Sequence, residues 1–261
     1  FPPTIDIPLA GMPLQRGTGT NDQRYVNGLF EVYQNPLTGG KTTYFVKRPG
    51  LENFSQPPLG AATGRGLYAW EGSGKIYSVF ANKLYSDTTE IATLAGSTGR
   101  VWFTETGPTS STRLLVVSDG TDNYNITTID GVTQIDEVDD AQYPQANIGC
   151  IVFFDDYLIQ AQEDGEIWNT DPDVFTSWLG TAVEDANSRG DELVAIALQK
   201  DQIVALGRHS VEFYFNNGTT PSPLLRIDQN VLDIGCAHAN TVAQSGDFLM
   251  WVGESPAKGR G

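Results

Sequence analysis

The side chains of this sequence that could do chemistry are two histidines, two cysteines and a set of paired carboxylates. The carboxylate pairs are Asp139 with Asp140, Asp155 with Asp156, Glu163 with Asp164, Asp171 with Asp173, and Glu184 with Asp185. Paired carboxylates can split a glycosidic bond or hold calcium. Aspartate also belongs in β-turns, where its oxygen accepts from backbone amides. Asp119-Gly120, Asp130-Gly131 and Asp164-Gly165 fit that turn role, so turn formation is the expected use of the acids. His209 and His238 show no spacing that suggests a Ser-His-Asp or Cys-His relay. His209 is expected in an exposed turn, and His238 as a packed or hydrogen-bonded neutral ring. Cys150 and Cys236 sit in the triplets Ile148-Gly149-Cys150 and Ile234-Gly235-Cys236, each ahead of an apolar strand. Equivalent positions in separate, non-adjacent repeats hold sulfurs apart, so buried free thiols are expected rather than a disulfide. Two thiols without clustered histidines cannot build a structural zinc site. Sequons begin at Asn53, Asn125 and Asn217, and they matter only in a secreted eukaryotic protein. No catalytic residue, metal or cofactor is expected.

The elements that must position these residues are short strands. Gly64-Arg65-Gly66-Leu67-Tyr68-Ala69-Trp70 is an aromatic run that ends in the turn Glu71-Gly72-Ser73-Gly74. Lys75 to Phe80 is a second run, Asn82-Lys83 breaks it, and Leu84-Tyr85 starts a third. The pattern returns at Leu114, Leu158, Ile203 and Leu249, which follow Ile76 at intervals of 38, 44, 45 and 46 residues. A period in this range with several strands per unit is the mark of propeller blades. Blades are expected over about 64–96, 99–137, 147–188 and 191–232, with a fifth opening near Ile234. Asn217-Gly218 predicts a two-residue hairpin in the fourth. Thr181 to Asn187 predicts one helical turn, because a Thr precedes a Glu three residues later.

Residues 1–60 differ, holding eight of the 14 prolines. Proline removes a ladder donor, so an extended segment and edge strands are expected there. Gly39-Gly40 is expected to turn a hairpin between Phe30–Tyr33 and Thr43–Val46, with a sharp corner at Lys47-Arg48-Pro49-Gly50. The reading is therefore an all-β chain: an extended proline-rich segment over 1–60, then a propeller-like array over 61–261. With a fifth unit only begun, unpaired edges predict self-association.

The hydrophobic share of 39% suffices for a core, and no run approaches a membrane-spanning length. Phe1-Pro2-Pro3-Thr4 does not read as a signal peptide. With 32 acidic against 16 basic residues the net charge is −16, which argues against a phosphate-gripping nucleic-acid site. The same charge fits DNA passing nearby without sticking.

Several motifs in succession carry a resemblance. Gln23-Arg24 with Asn27 and Glu31 is followed by Lys47-Arg48-Pro49-Gly50-Leu51. Then come Gly64-Arg65-Gly66-Leu67-Tyr68, Lys75-Ile76-Tyr77-Ser78-Val79 and Asn82-Lys83-Leu84-Tyr85. Glu166-Ile167-Trp168-Asn169-Thr170-Asp171, and the stretch from Ala195 to Tyr214, continue the order. The succession resembles the tail-hub, packaged-DNA stabilisation (tail accessory) proteins of short-tailed phages of the P22 type. The resemblance implies a structural virion protein of the phage tail, assembled in the host bacterial cytoplasm, and no enzyme. It implies a ring of six copies below the portal adaptor that extends and closes the DNA channel. Its partners would be the adaptor, the tail needle, spikes or fibres, and genomic DNA passing through the lumen. Assembly contacts would fall at Gln23, Arg24 and Asn27 and at Arg48, Pro49 and Gly50. Relatives of this type are longer, so a fragment, an ordered core or a shorter hub is implied.

A second reading is a secreted carbohydrate-binding or carbohydrate-active propeller. It rests on the Asp-Gly turns, on Asp164-Gly165-Glu166-Ile167-Trp168, which resembles part of the sialidase Asp-box, and on Trp70, Trp102, Trp168, Trp178 and Trp251. Those tryptophans recur at strand positions, where core packing is expected of them.

Overall fold

A computed structural model describes residues 28–34, 39–47, 62–107, 113–129, 132–144, 147–186 and 189–254. The chain divides into two compact units, Phe1–Phe54 and Ser55–Gly261. In the first, β1 (Gly28–Gln34) and β2 (Lys41–Lys47) form an antiparallel hairpin that pairs Phe30 with Phe45 and Gln34 with Lys41. Gly39 takes a positive φ of 67°, which glycine adopts without a Cβ clash.

The second unit holds four four-stranded antiparallel sheets, each built from strands consecutive in sequence. The first contains β3 (Gly64–Trp70), β4 (Lys75–Phe80), β5 (Lys83–Ser86) and β6 (Thr89–Thr93). The next is β7 (Trp102–Glu105), β8 (Leu115–Ser118), β9 (Asn123–Ile129) and β10 (Val132–Glu137). The third is β11 (Asn147–Phe154), β12 (Tyr157–Gln162), β13 (Glu166–Asp171) and β14 (Val174–Asp185). The fourth is β15 (Leu193–Gln199), β16 (Gln202–Gly207), β17 (Val211–Asn216) and β18 (Leu224–Arg226). Beyond them lie β19 (Gly235–Cys236), a 3-10 turn (Ala239–Thr241), β20 (Ala243–Ser245), β21 (Phe248–Met250) and β22 (Gly253–Glu254). Here β19 pairs with β22, and β20 with β21.

The second strand of each sheet shows why the sequence reads as it does. Along β8 and the residue before it, successive side chains point to opposite faces. Leu115 and Val117 join a buried cluster with Trp70, Tyr77, Val79 and Leu84 of the first sheet. Leu114 and Val116 join another with Leu158, Phe175 and Trp178 of the third. A strand buried on both faces has no polar side, so Leu114 to Val117 is a continuous apolar run. In β12, Leu158 faces one neighbour and Ile159 and Ala161 the other. Sheets stacked this way form the propeller array that the periodicity predicts, and four of the five anchors lie on, or one residue before, such a strand.

Several expectations need correction. Thr181–Asp185 is strand, the end of β14, and pairs with β13 through Val183 and Trp168. Ala182 is buried against the core, and tertiary pairing overrides the local capping pattern. Asn217-Gly218 does not close a two-residue hairpin. β17 ends at Asn216 and β18 begins at Leu224, so the connection runs over 217–223 and includes a cis Thr220-Pro221 bond. The prolines at 221 and 223 withhold the amides that a tight ladder would use. His209 is half-buried rather than exposed. The Ile-Gly-Cys triplets lie at or within strands, not ahead of them, in β11 and at β19. Both thiols are free and buried, as expected. Asn125 is buried and donates to the Phe175 carbonyl at 3.2 Å, so its sequon is closed to a glycan.

Candidate assembly surfaces

The residues expected to make assembly contacts, Gln23, Arg24, Asn27, Arg48, Pro49 and Gly50, lie outside the described residues. The described part of the motif succession begins at Gly64-Arg65-Gly66-Leu67-Tyr68, and its chemistry is a clamp between the first two blades. Arg65 is 7% exposed. Its Nε donates to Gly99 O at 2.8 Å, and Nη1 to Ala81 O at 2.9 Å and Gly96 O at 2.6 Å. Nη2 donates to Thr98 O at 2.6 Å and Asp119 O at 3.4 Å. Burial lowers the guanidinium pKa, and the Asp119 charge opposes that shift. Asp119 in turn accepts from the amides of Gly96, Thr121 and Asp122. A Cβ at Gly66 would lie 2.7 Å from the Phe103 ring, so glycine lets the blades approach. Tyr68 stacks on Phe103 and donates to Glu105 at 2.7 Å.

Asp119-Gly120 and Asp164-Gly165 are found in turns, Asp130-Gly131 lies outside the described residues, and Asp171, Glu184 and Asp185 lie in strands instead. Asp140 accepts from the Gln142 and Trp178 amides, and Asp164 from the Glu166 amide. Asp155, Asp156 and Asp173 hold positive φ values at tight turns. Among the described residues, no group of three His, Cys, Asp or Glu is placed to hold a metal ion. His238 is exposed, and its Nδ1 accepts from the Asn240 amide at 3.1 Å. Trp70 and Trp178 are fully buried, and Trp102, Trp168 and Trp251 pack half-buried against the core.

The distribution of charge was not anticipated by the sequence reading. Residues 114–188 carry 16 of the 32 acidic side chains and none of the 16 Lys and Arg. None of the ion pairs among the described residues involves an acid of this stretch; they join Lys83 to Glu90, Arg113 to Glu105 and Arg208 to Glu192, for example. Two open acidic hollows result. Asp122, Glu137, Asp139 and Asp140 line one of about 370 Å³ with Tyr143, and Asp164, Glu166, Glu184 and Asp185 one of about 410 Å³. Burial, then repulsion from Asp119 and Glu137, raises the Asp122 pKa. Burial raises that of Glu184, with Arg226 opposing.

An apolar surface marks the far end of the array. β4, β8, β12 and β16 are each largely buried, whereas β21 is open: Phe248 is 74% and Met250 53% exposed. Leu249 and Trp251 face inward to the core, while Phe248, Met250 and Val252 face out. On the fourth sheet, the cross-strand pair Phe215 and Leu225 is also exposed.

No curated protein matches the chain. Among solved structures, it is similar to Myxococcus xanthus glutaminyl cyclase at 12% identity and a TM-score of 0.34, covering 58% of this chain and 65% of that one. It is similar to BBS1N, from a complex with ARL6DN, at 14% identity and a TM-score of 0.38, covering 70% of this chain and 58% of that one. It is similar to the computationally designed Ika8 protein at 11% identity and 0.35, covering 85% and 76%. The chain thus spans under two thirds of the length of the first two. The family model described as Bacteriophage P22 Gp10, beta-propeller, matches residues 5–260, nearly the whole sequence, and the chain belongs to that family of phage structural proteins.

Proposed function

We propose that this chain is a ring-forming subunit of a short phage tail, seated below the portal adaptor, where it extends and closes the DNA channel and carries the needle or spikes. The observation that carries the reading is the family match over residues 5–260. The motif succession from Gln23 to Tyr214 supports the same tail-hub role. Residues 1–60 serve as the arm toward the adaptor, with contacts at Gln23, Arg24, Asn27, Arg48, Pro49 and Gly50. The ring has six copies. The uncompensated acids of residues 114–188 suit a surface past which DNA slides without sticking. Six copies bring on the order of a hundred net negative charges around the lumen. Salt at 0.1 M screens them within about 10 Å. The test is a phage lacking this gene. Its heads are expected to fill with DNA and then lose it, and the protein supplied in trans is expected to restore retention. Particles that keep their DNA without the protein, and infect normally, would overturn the reading.

A further inference from the structure

In a chain with 32 acids against 16 bases, a cation readily finds a carboxylate. Among the described residues of the second unit, Lys83, Arg113, Arg189, Lys200, Arg208 and Arg226 each join one. Arg65 is buried among carbonyls, and Lys75 donates to Thr133. Arg100 is exposed and joins none of these ion pairs, yet its side chain is held. The guanidinium carbon lies 3.9 Å from the centre of the Trp102 ring, and Nη1 donates to Asn240 Oδ1 at 3.3 Å. Stacking uses the flat face of the guanidinium and leaves its edge free. That edge carries five N–H donors in a planar fork, of which the bond to Asn240 takes one.

The place of this arginine in the fold matters as much as its lack of a carboxylate. Arg100 lies two residues before β7, whose first residue is Trp102, and Asn240 lies 140 positions on, in the 3-10 turn of the last sheet. The bond joins the second blade to the far end of the array, while β7, β11 and β15 adjoin in turn. Trp102 packs against the same cluster as Cys150, Cys236, Ala239 and Val242. A Cβ at Gly149 would lie 2.9 Å from its indole, so glycine lets β11 support the ring from below. Burial pushes the Cys150 thiol up to about 12, and the Arg100 charge is one of the influences that oppose it. The guanidinium therefore sits close over the apolar cluster where the blades converge.

A weakly hydrated planar cation on an aromatic platform, with half-buried Ala239 and Val242 on the turn beside it, suits an anion with two coplanar oxygens and an apolar body. The net charge of −16 chooses among anions, because repulsion grows with the charge of the ligand and a single charge meets the least. We infer that Arg100, stacked on Trp102 and steadied by Asn240, is a binding site for a singly charged carboxylate that carries an apolar group. The fork takes both oxygens, and Ala239 and Val242 meet the apolar part. A small carboxylic acid and the free C-terminus of a polypeptide share this chemistry. The inference does not depend on the ring.

The test follows the indole N–H signals of the full chain by NMR, with the signal lost in Trp102→Phe assigning Trp102. The probes are N-acetyl-leucine, its amide, inorganic phosphate, and a short peptide ending in a free leucine carboxylate. The Trp102 signal is expected to shift saturably with N-acetyl-leucine and with the peptide, and not with the amide. Clearly tighter binding of the peptide assigns the site to polypeptide ends, and equal binding assigns it to the small acid. Arg100→Met keeps an apolar stem on the ring and should weaken binding by about tenfold or more, with Arg100→Lys recovering only part. Asn240→Asp, which keeps Arg100 but sets a competing carboxylate against it, should weaken binding as well. Melting temperatures close to wild type are expected for these variants, because the bond they touch is exposed. Equal response to acid and amide, saturation by phosphate alone, no saturable shift with either carboxylate, or unchanged affinity in Arg100→Met and Asn240→Asp would overturn the inference.

Discussion

Replacing Arg65 by methionine keeps the aliphatic stem and removes the charged fork, so it isolates the clamp between the first two blades. Five hydrogen bonds are lost, to the carbonyls of Ala81, Gly96, Thr98, Gly99 and Asp119. A hydrogen bond from a charged donor is worth about 1.5–3 kcal/mol net, but five on one fork do not add. Thr98 and Gly99 are exposed, so their carbonyls can turn to water, whereas those around Asp119 cannot do so as freely. Leaving buried acceptors unsatisfied typically costs about 1–3 kcal/mol, and a loss at the upper end of that range is expected. It is a large share of the roughly 5–15 kcal/mol that holds a domain together. Arg65→Lys restores the charge but places one point donor where a planar fork reached three directions, so it should recover less than half. The assay is urea unfolding followed by tryptophan fluorescence, with Asp119→Asn and the double variant completing a cycle. The midpoint should fall while the slope stays constant. A midpoint shift worth under about 1 kcal/mol would refute the clamp, while strict additivity with Asp119→Asn would remove only the charge coupling of Arg65 to Asp119.

The remaining predictions concern packing, pH, the thiols and charge. Gly66→Ala should destabilise by about 1–3 kcal/mol in thermal unfolding, because its methyl meets the Phe103 ring. Gly235→Ala should cost at least as much, since its Cβ would overlap the Arg208 carbonyl, and proteolysis should then cut first within residues 235–254. Asp122 and Glu184 have folded-state pKa values above their ordinary 3.8 and 4.5. Each therefore takes up its proton more readily when folded. Their penalty is present above the raised values and is relieved as pH falls through them toward 3.8 and 4.5. Melting temperature plotted against pH should show this relief, and Asp122→Asn with Glu184→Gln should remove it. Burial pushes the Cys150 thiol up to about 12, so the native protein should not react with a thiol reagent at neutral pH, and both sulfurs should react after denaturation. Changing Glu137, Asp139, Glu163 and Glu184 to Lys raises the formal charge by about eight and should create salt-sensitive DNA binding that the wild-type protein lacks. Undetectable binding by that variant at low salt would sink the charge-repulsion account.

The sequence exposed the blades because a doubly buried strand has no polar alternative. Leu114 to Val117 is apolar throughout, and Leu158 to Ala161 is broken only by Gln160, which is buried and bonded to Ser118 and Asn123, since one set of alternate side chains meets the preceding sheet and the other meets the next. The Ile-Gly-Cys repeat was also legible, and the close approaches explain it. Gly149 abuts Trp102 and Gly235 abuts the backbone of Arg208, while the adjoining Cys fills the core. Signals resting on a local motif were weaker. The Thr-x-x-Glu pattern at Thr181 and the Asn-Gly at 217 describe what four residues favour in isolation. Ladder pairing with β13 decides the first, and two prolines in the loop decide the second. The role of Arg65 could not be read, because its acceptors are carbonyls, which every residue has. They lie up to 54 positions away.

The first strands of successive sheets adjoin one another, and two of them, Asn147–Phe154 and Leu193–Gln199, contain no Asp, Glu, Lys or Arg. The acids of residues 114–188 sit instead on the turns and on the third and fourth strands, where they line two hollows open to solvent. Some of these carboxylates hold turns by accepting backbone amides, but none joins an ion pair among the described residues, and as like charges they repel one another. The apolar centre of the propeller therefore supplies cohesion, and the acidic flank stays open to solvent. A polyanion would be repelled by that flank, not drawn into the propeller's own axis. On the ring reading proposed above, the lumen would then be the space between copies, bordered by the second and third blades of each.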